Sequence, residues 1–519
     1  MPLSIIPQPV SIRYGEGFFQ CPGLPLLKGD ECFHEEIQLA AGQLRQDWTG
    51  CPVFFDREKK PAHYQEVNCQ KEELPDGVGN TRSEAYRLCI TKDAVTVKAA
   101  AGAGAYHGLQ TFRQLVLSEY RDGGVSPEHG ITLPCCEITD YPRFSWRGFM
   151  LDSARHFYSL PFIKRLIDVL SLHHINRFHW HLTDDQGWRL PVEEYPLLTE
   201  IGSRRQERRL PGMPYSGGFY REDEIRELVD YAASRHIEVI PEVDLPGHAS
   251  AILASYPGFG CTGGPYRVEE RTGILENVLC AGSGRIFDLA AGVFNALARL
   301  FPSSYVHIGG DEVRFDNWKA CPKCKRRLSE LGLKRAEELQ SWITLRLVNM
   351  LAERGKTAIG WDEVLEDSMQ FKLPKETVVM SWRGSEGGKR ASALGHPVIM
   401  CPNTGGCYLD YKHTDDAEEP GQAFVISPVA QSYSMDPVTP EMSAEEAARI
   451  LGGQCNLWSE LIYAGKIAEY MIFPRLCAIA EALWTPREGK DFEDFARRLP
   501  VHQKRLDSLG LLQYRGPLQ

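Results

Sequence analysis

From about residue 144 onwards, short apolar runs alternate with amphipathic helical segments, and this alternation constrains the fold more than any other feature of the chain. Eight candidate strands cover 148–152, 175–184, 237–244, 305–311, 357–361, 377–382, 397–401 and 453–458. Between them, 160–172 places Ile163, Leu166, Ile167 and Leu170 on one helical face, with Ser159 as N-cap. The segment 221–235 does the same with Ile225, Leu228, Val229 and Ala232. So does 337–353 with Leu339, Ile343, Leu347 and Leu351, stopped by Gly355. Repeated strand–helix units require a parallel sheet, and eight of them in about 350 residues predict an α/β fold, a (β/α)8 TIM barrel enlarged by loops. A doubly wound open sheet is the competitor, but its phosphate-binding glycine fingerprint is missing. The nearest candidate is Gly102-Ala-Gly104-Ala-Tyr-His107-Gly108, where His107 stands in the third glycine position. Close packing at a strand-to-helix turn explains those glycines better.

Residues 1–142 have a different texture. Alternating runs at 86–91 and 94–99 are followed by a helical stretch at 106–117, which predicts a small α+β accessory domain: an antiparallel sheet with a packed helix. The proline-bearing segment 133–142 reads as the boundary. Residues 143–519 then form the barrel domain, with 490–519 packed on it as a last helix.

Composition removes several classes. Lys+Arg 58 against Asp+Glu 69 leaves a net charge of −11 without any basic run, a poor basis for binding nucleic acid. No apolar stretch approaches the roughly 18 residues of a membrane helix. The first ten residues have no basic n-region and carry prolines where an apolar core would lie, so they do not read as a secretory signal. Fifteen cysteines, an odd and scattered number, read as reduced thiols, and there is no Asn-x-Ser/Thr site. A cytoplasmic location is the expectation.

The chemistry lies at the strand ends. Asp184-Asp185 ends the second, and Asp244 with His248 follows the third. Asp311-Glu312 ends the fourth, Trp361-Asp362-Glu363 the fifth, Trp382-Arg383 the sixth and Trp458-Ser459-Glu460 the eighth. In a parallel barrel every strand C-terminus opens on one face, so these residues converge on one cleft. Tryptophan faces stack on the C–H faces of a pyranose, and carboxylates bind its hydroxyls and move protons. The predicted ligand is a sugar.

Ordinary glycosidases flank the bond with two carboxyls about 5 or about 6.5–9.5 Å apart. Adjacent Asp311 and Glu312 do not easily straddle a ring in that way. They suit a substrate-assisted mechanism, in which a 2-acetamido oxygen attacks the anomeric carbon and an oxazolinium ion forms. One carboxyl then acts as acid while the other orients the acetamide. The plainer reading of the pair, acidic residues near a helix start after Gly309-Gly310, stays open on these two residues alone.

The motifs Arg147-Gly-Phe-Met-Leu-Asp152-Ser-Ala-Arg155-His156, Phe178-His-Trp-His-Leu-Thr-Asp184-Asp185-Gln-Gly-Trp188-Arg189, Pro241-Glu-Val-Asp244-Leu-Pro-Gly-His248 and His307-Ile-Gly-Gly-Asp311-Glu312 occur in that order. Gly360-Trp-Asp-Glu363, Ser381-Trp382-Arg383-Gly384, Tyr408-Leu-Asp410 and Leu457-Trp458-Ser-Glu460 follow. Over roughly 140–485 this set resembles the family 20 glycoside hydrolases, the β-N-acetylhexosaminidases, and the N-terminal unit resembles their accessory domain. The resemblance implies an exo-acting, retaining enzyme that removes terminal GlcNAc, and in a wider reading GalNAc, from a glycoconjugate or chitin-type oligosaccharide. It implies no cofactor and no metal. Glu312 would be the acid and then the base, Asp311 would orient the acetamido group, and Tyr408 would donate to its oxygen. Trp361, Trp382 and Trp458 would wall the pocket, and Arg147, Asp410 and Glu460 would hold ring hydroxyls. Asp184 and His248 would form a relay tuning Glu312. Arg147 carries a tension, since the strand limits put it at the start of strand one, far from the open face. The motif is followed, because an arginine can reach along the barrel interior.

Two further features have plainer readings. His179-x-His181 could be a metal pair in a metal-dependent hydrolase, but no third ligand is convincingly placed, and core histidines are the simpler expectation. Cys321-Pro-Lys-Cys324 is a lone CxxC with no second pair at suitable spacing, and reads as an incidental or structural turn. A carbohydrate-binding barrel without catalysis is the remaining alternative. It would normally have lost an acid, whereas Asp311 and Glu312 are both present.

Overall fold

The computed structural model describes residues 3–49, 65–73, 79–118, 130–206, 216–366 and 371–519. The N-terminal sheet contains β1 (Ser11–Cys21), β2 (Leu26–Gly29), β3 (Glu66–Lys71), β4 (Tyr86–Ile90), β5 (Val95–Ala99) and β6 (Ile131–Asp140), in the order β1-β6-β4-β5-β3-β2. Its expected antiparallel character holds for β1, β6, β4 and β5, but β3 pairs parallel with both β5 and β2. The reason is α1 (His34–Thr49), a helix between β2 and β3 that returns the chain in the same direction. The segment expected to be the boundary is itself β6, paired on both sides. The architecture therefore changes at residues 141–145, just before the first barrel strand.

Helix α2 (Gly102–Leu117) starts four residues before the expected position, at the glycine-rich turn. A Cβ on Gly104 would stand 2.2 Å from the Ala85 carbonyl oxygen, and one on Gly108 would stand 2.6 Å from Val97 Cγ1. These glycines let the helix lie directly on the sheet. Its opposite face meets the barrel, where Tyr106 Oη lies 3.1 Å from Ser171 Oγ and Gln114 Nε2 donates to the Leu172 carbonyl at 3.0 Å. A helix packed on both sides is buried all round, which hides its amphipathic period.

Strands β7 (Trp146–Asp152), β8 (Arg177–His181), β9 (Glu238–Glu242), β10 (Tyr305–His307), β11 (Thr357–Trp361), β12 (Val378–Ser381), β13 (Val398–Met400) and β14 (Ile450–Leu457) close into a parallel barrel in chain order. All eight fall where the apolar runs were. Helix α3 (Leu160–Leu172) buries Ile163, Leu166, Ile167 and Leu170, each worth about 1.5–3 kcal/mol of transfer free energy. Ser159 occupies its N-cap position but makes no capping hydrogen bond. Helices α4 (Glu222–Ala233) and α5 (Arg285–Leu300) precede β9 and β10, and α6 (Glu338–Ala352) precedes β11. Gly355, at φ +69°, ends α6 as expected. After the barrel, α7 (Arg475–Trp484) and the terminal α8 (Phe492–Ser508) cover its flank. Arg498 of α8 bonds Glu481 at 2.7 Å and the Ile5 carbonyl at 2.6 Å, tying both chain ends together.

The CxxC reading needs correction. Cys321 and Cys324 open the helix Pro322–Glu330, and Cys261 and Cys280 from the loop after β9 stand against them, with Cys280 Sγ 3.7 Å from Cys324 Sγ. The second pair was not legible because it is no CxxC. Eighteen residues separate its members, and only the tertiary fold brings them in.

Candidate active site

Strand alternation explains the barrel interior. In β8, Phe178 and Trp180 face the helices, while His179 and His181 face inward. The inward pair meets Glu242, the last residue of β9, which has no exposed surface. His181 Nδ1 lies 2.5 Å from its Oε2, His179 Nε2 and His307 Nδ1 lie 2.9 Å from its two oxygens, and Trp361 Nε1 donates to Oε1 at 2.9 Å. The third group that the histidine pair was thought to lack is therefore present. It is a buried carboxylate that protein groups satisfy from every side. Burial lowers His179 to about 4. Burial would also lower His181, but Glu242 and Asp184 outweigh it and hold this imidazole well above its ordinary value.

From there a line of charges runs to the open face. His181 Nε2 bonds Asp184 Oδ2 at 2.8 Å, and Arg155 Nη2 approaches the same oxygen at 2.9 Å. His248 Nδ1 bonds Asp184 Oδ1 at 3.1 Å, and its Nε2 stands 3.7 Å from Asp311 and 3.5 Å from Glu312. Burial alone would raise Asp184, but Arg155 and His248 hold it well below the usual carboxylate range. Burial would lower His248, but Asp184 outweighs it and keeps the imidazole well above its ordinary value. Asp184 and His248 are thus joined in the arrangement expected of a relay, with Glu242 and His181 behind them.

Asp311 and Glu312 follow a turn that only glycine can make. Gly309 and Gly310 have φ of +66° and +95°, and a Cβ on Gly309 would stand 1.8 Å from Asp244 Oδ1. That oxygen accepts the Gly310 N–H at 2.9 Å. The turn delivers Asp311 against Asp244. Burial pushes Asp244 up to about 6 and Asp311 well above its ordinary value, Asp244 adding to the rise of Asp311. Glu312 and His248 both hold left-handed backbone, at φ +51° and +46°. Such strain in non-glycine residues costs about 1–3 kcal/mol and collects at functional sites.

Opposite this pair an aromatic wall lines an open cleft. Trp361 is pinned by Glu242, and Trp382 Nε1 donates to Glu363 Oε2 at 2.9 Å. Trp382 and Tyr408 are stacked at 15° with ring centroids 6.3 Å apart, and Trp458 lies 5.9 Å from Trp361. Burial holds the Tyr408 phenol well above its ordinary value, so it keeps its proton to donate. Tyr408 and Asp410 ride on a loop held by Arg475 of α7. Its buried guanidinium donates to the carbonyls of Leu409 (2.6 Å), Tyr411 (2.8 Å), Ser427 (3.1 Å) and Met471 (2.8 Å). Asp410 and Glu460 close the far end, both raised by burial. Asp311 Oδ1, Asp410 Oδ1 and Glu460 Oε2 are buried without a hydrogen-bond partner. Each such oxygen costs about 1–3 kcal/mol unless a ligand supplies a donor.

Arg147 does not join them. It sits at the opposite end of the barrel, where its guanidinium pairs with Glu84 of the N-terminal domain and donates to the carbonyls of His174 (2.8 Å) and Phe144 (2.7 Å). Its place at the start of β7 decides this, and the expectation that it holds a sugar hydroxyl is corrected. The arginine in the cleft is Arg155, just past the end of the same strand, stacked over Trp458 at 4.9 Å. It stood in the same motif as Arg147, and the strand direction was the signal that pointed to it. Glu242 was also missed as a site residue, although it lies in the Pro241-Glu-Val-Asp244 run that ends β9, and Asp244, placed at the cleft with the other strand ends, was given no role. Phe424, 80% exposed at the cleft rim, had no motif to mark it.

Comparison with known proteins agrees with this geometry. Residues 144–487 match the catalytic domain of glycosyl hydrolase family 20, and residues 3–141 match domain 2 of that family. A β-hexosaminidase of Porphyromonas gingivalis is 43% identical over 439 residues, 84% of this chain but 55% of that protein, so the chain spans about half of that relative's length. A β-hexosaminidase of Akkermansia muciniphila is 35% identical over 82% of this chain and 84% of its own. Among solved structures, an exo-β-N-acetylglucosaminidase of Vibrio harveyi in complex with N-acetylglucosamine superposes with a TM-score of 0.86. It is 30% identical, over 99% of this chain and 78% of that one. A mutant Streptomyces plicatus β-hexosaminidase in complex with its product GlcNAc gives 0.83 at 29% identity, over 99% and 97%.

Proposed function

The chain belongs to glycosyl hydrolase family 20, and from that membership we propose that it is an exo-β-N-acetylhexosaminidase acting through its substrate's own acetamido group. The observation that carries the reading is the set of three partnerless buried carboxylate oxygens, on Asp311, Asp410 and Glu460, facing one tryptophan-lined cleft. A sugar with an N-acetyl arm supplies what they lack. Its amide N–H suits Asp311, and its hydroxyls suit Asp410 and Glu460, with Arg155 beside Glu460 at 3.9 Å. The N-acetylglucosamine and GlcNAc bound in the relatives' structures support the same sugar class.

In this mechanism Glu312 protonates the leaving glycosidic oxygen while the acetamido oxygen attacks the anomeric carbon. Asp311 holds the acetamide N–H and offsets the charge that grows on nitrogen as the oxazolinium forms. Tyr408 donates to the attacking oxygen and aims it, and Trp361, Trp382 and Trp458 exclude water from the acetamido pocket. Glu312, now ionised, activates the water that opens the oxazolinium, and the configuration is retained. The reaction draws its nucleophile from the substrate and its proton from Glu312, so it uses no metal. GlcNAc-terminated glycoconjugates or chitin-type oligosaccharides are the proposed substrates, and GalNAc glycosides the wider range.

The test combines a GlcNAc-thiazoline, which mimics the bicyclic intermediate, with the Glu312→Gln variant. Tight competitive inhibition and a 100- to 10,000-fold drop in kcat, of the order expected for a lost general acid, are the supporting results. Cleavage of simple glucosides at the rate of GlcNAc glycosides would overturn the mechanism.

A further inference from the structure

Cys261 and Cys280 come from the loop after β9, and Cys321 and Cys324 from the start of the helix Pro322–Glu330, yet their sulfurs all lie within 4.8 Å of one another. The Sγ–Sγ separations are 3.8 Å for Cys261–Cys324, 3.9 Å for Cys280–Cys321 and 3.7 Å for Cys280–Cys324. A disulfide would need about 2.05 Å. A tetrahedral ion with Zn–S bonds of about 2.3 Å separates neighbouring sulfurs by about 3.8 Å, since a tetrahedron's edge is about 1.63 times its centre-to-corner distance. We propose that these four cysteines bind one structural Zn²⁺ that staples the loop after β9 to the segment following Glu312.

Three further features fit a built site. The backbone is tightly apposed there: a Cβ on Gly282 would stand 2.1 Å from the Lys323 carbonyl carbon and 2.4 Å from the Cys324 nitrogen, so only glycine lets the two ligand-bearing segments meet. Cys280, Cys321 and Cys324 are buried and Cys261 is half-buried, so the four sulfurs face one another away from solvent. Four thiolates and one Zn²⁺ leave a net charge of 2−, and the Pro322–Glu330 helix carries Lys323, Lys325, Arg326 and Arg327 around its two ligands. Tetrahedral all-sulfur sites select zinc or iron, and a redox-inert ion suits a site whose four ligands fill the coordination sphere and leave no open position.

The staple has a consequence for the cleft. Between Cys261 and Cys280 the loop reaches the relay, where the Glu269 N–H donates to the Asp185 carbonyl at 3.0 Å and Gln186 Nε2 donates to the Arg271 carbonyl at 2.7 Å. Its other flank is pinned to the segment after the acid by Trp318 Nε1 on the Leu279 carbonyl at 2.8 Å. Zinc would hold this loop as one body with the strand end that carries Asp311 and Glu312.

The experiment is metal analysis of the full-length purified chain, with thiol counting by mass spectrometry. One zinc per chain is expected, released by a mercurial thiol reagent, and reduced below about 0.2 per chain in Cys280→Ser. Should that variant fail to fold, the wild-type chain refolded with Co²⁺ provides the readout: a tetrahedral thiolate site gives intense sulfur-to-cobalt charge-transfer bands together with visible d–d bands. Iron in place of zinc, four free thiols without metal in zinc-replete protein, or a disulfide between any two of these cysteines would overturn the proposal.

Discussion

Replacing Arg147 with methionine separates two roles that the sequence alone left in competition. The guanidinium is fully buried, sits 4.9 Å from the Trp484 ring, and faces the Glu84 carboxylate across the boundary between the two domains. Burial would raise Glu84, but Arg147 and then His107 outweigh it and hold the carboxyl well below its usual range. Methionine keeps much of the stem volume and removes the charge. Breaking a buried ion pair from one side costs about 3–5 kcal/mol, because the partner stays buried and uncompensated. With an unfolding entropy of about 2.1 cal/mol/K per residue over 519 residues, 4 kcal/mol lowers Tm by about 4 °C for a chain unfolding as one unit. The pH dependence has a definite sign. Glu84's folded value is depressed, so its contribution to the wild type is present above the unfolded value of about 4.3 and is lost as pH falls through the folded value. In the variant burial is opposed by His107 and the Asn176 amide without the guanidinium charge, and the Glu84 carboxyl takes up a proton in mild acid. The stability gap between the two proteins is therefore widest near pH 7 and narrows towards pH 4. Thermal unfolding at several pH values, paired with kcat and KM on a GlcNAc aryl glycoside below the transition, checks this. A tenfold rise in KM with an unchanged Tm would show that Arg147 holds sugar after all, and would refute its assignment to the domain boundary.

Asp244→Asn should move the acidic limb of kcat/KM to lower pH. It removes a like charge beside Asp311 while Asn Oδ1 can still accept the Gly310 N–H; a limb that stays put or moves upward in the measured pH profile would contradict Asp311 acting as the ionised partner of the acetamide. Arg475→Met strips a donor from three loop carbonyls and the helical Met471 carbonyl, so at least about 3 kcal/mol of stability should be lost in denaturant melts. The loop carrying Tyr408 and Asp410 should loosen with it, and kcat/KM should fall more than tenfold; full activity in the variant would mean that this loop is positioned by something else.

The barrel was legible because most of its strands carry short apolar runs, as in β12 (Val378–Ser381) and β13 (Val398–Met400), that alternate with amphipathic helices, a pattern that a two-sided sheet imposes directly on sequence. The N-terminal sheet was half legible. β4 and β5 alternate cleanly, but β1 has six consecutive exposed residues and β2 has four residues in all, so neither offers a period to read. In the site, Trp361, Trp382, Asp311 and Glu460 could be placed because strand ends share one face. Glu242 could not be separated from its motif. Its importance comes from what surrounds it at the barrel axis, and four of those groups arrive from β8, β10 and β11. Arg147 failed for the complementary reason: the motif was followed against the strand direction, and the direction was the physical constraint. Cys261 and Cys280 pair with the CxxC only through the path of a long loop, which no local spacing encodes.

Glu242 explains why the cleft and the barrel core are one electrostatic object. A lone carboxylate there would shed its charge, since burying it without partners costs far more than the fold could offset. It stays ionised because His181 is cationic beside it, and His181 stays cationic because Asp184 faces its other nitrogen. Asp184 in turn holds His248 positive against Asp311 and Glu312. The signs alternate from the axis to the substrate, so the positive charge beside the two reacting carboxyls is maintained by groups that never touch sugar. The second oxygen of Glu242 meanwhile anchors the Trp361 indole. One buried carboxyl thus orients the tryptophan proposed to pack against the acetamido group and supports the line of charges behind Glu312, the proposed acid. In the proposed mechanism the positions of nucleophile and proton donor are therefore coupled through the protein as well as through the substrate.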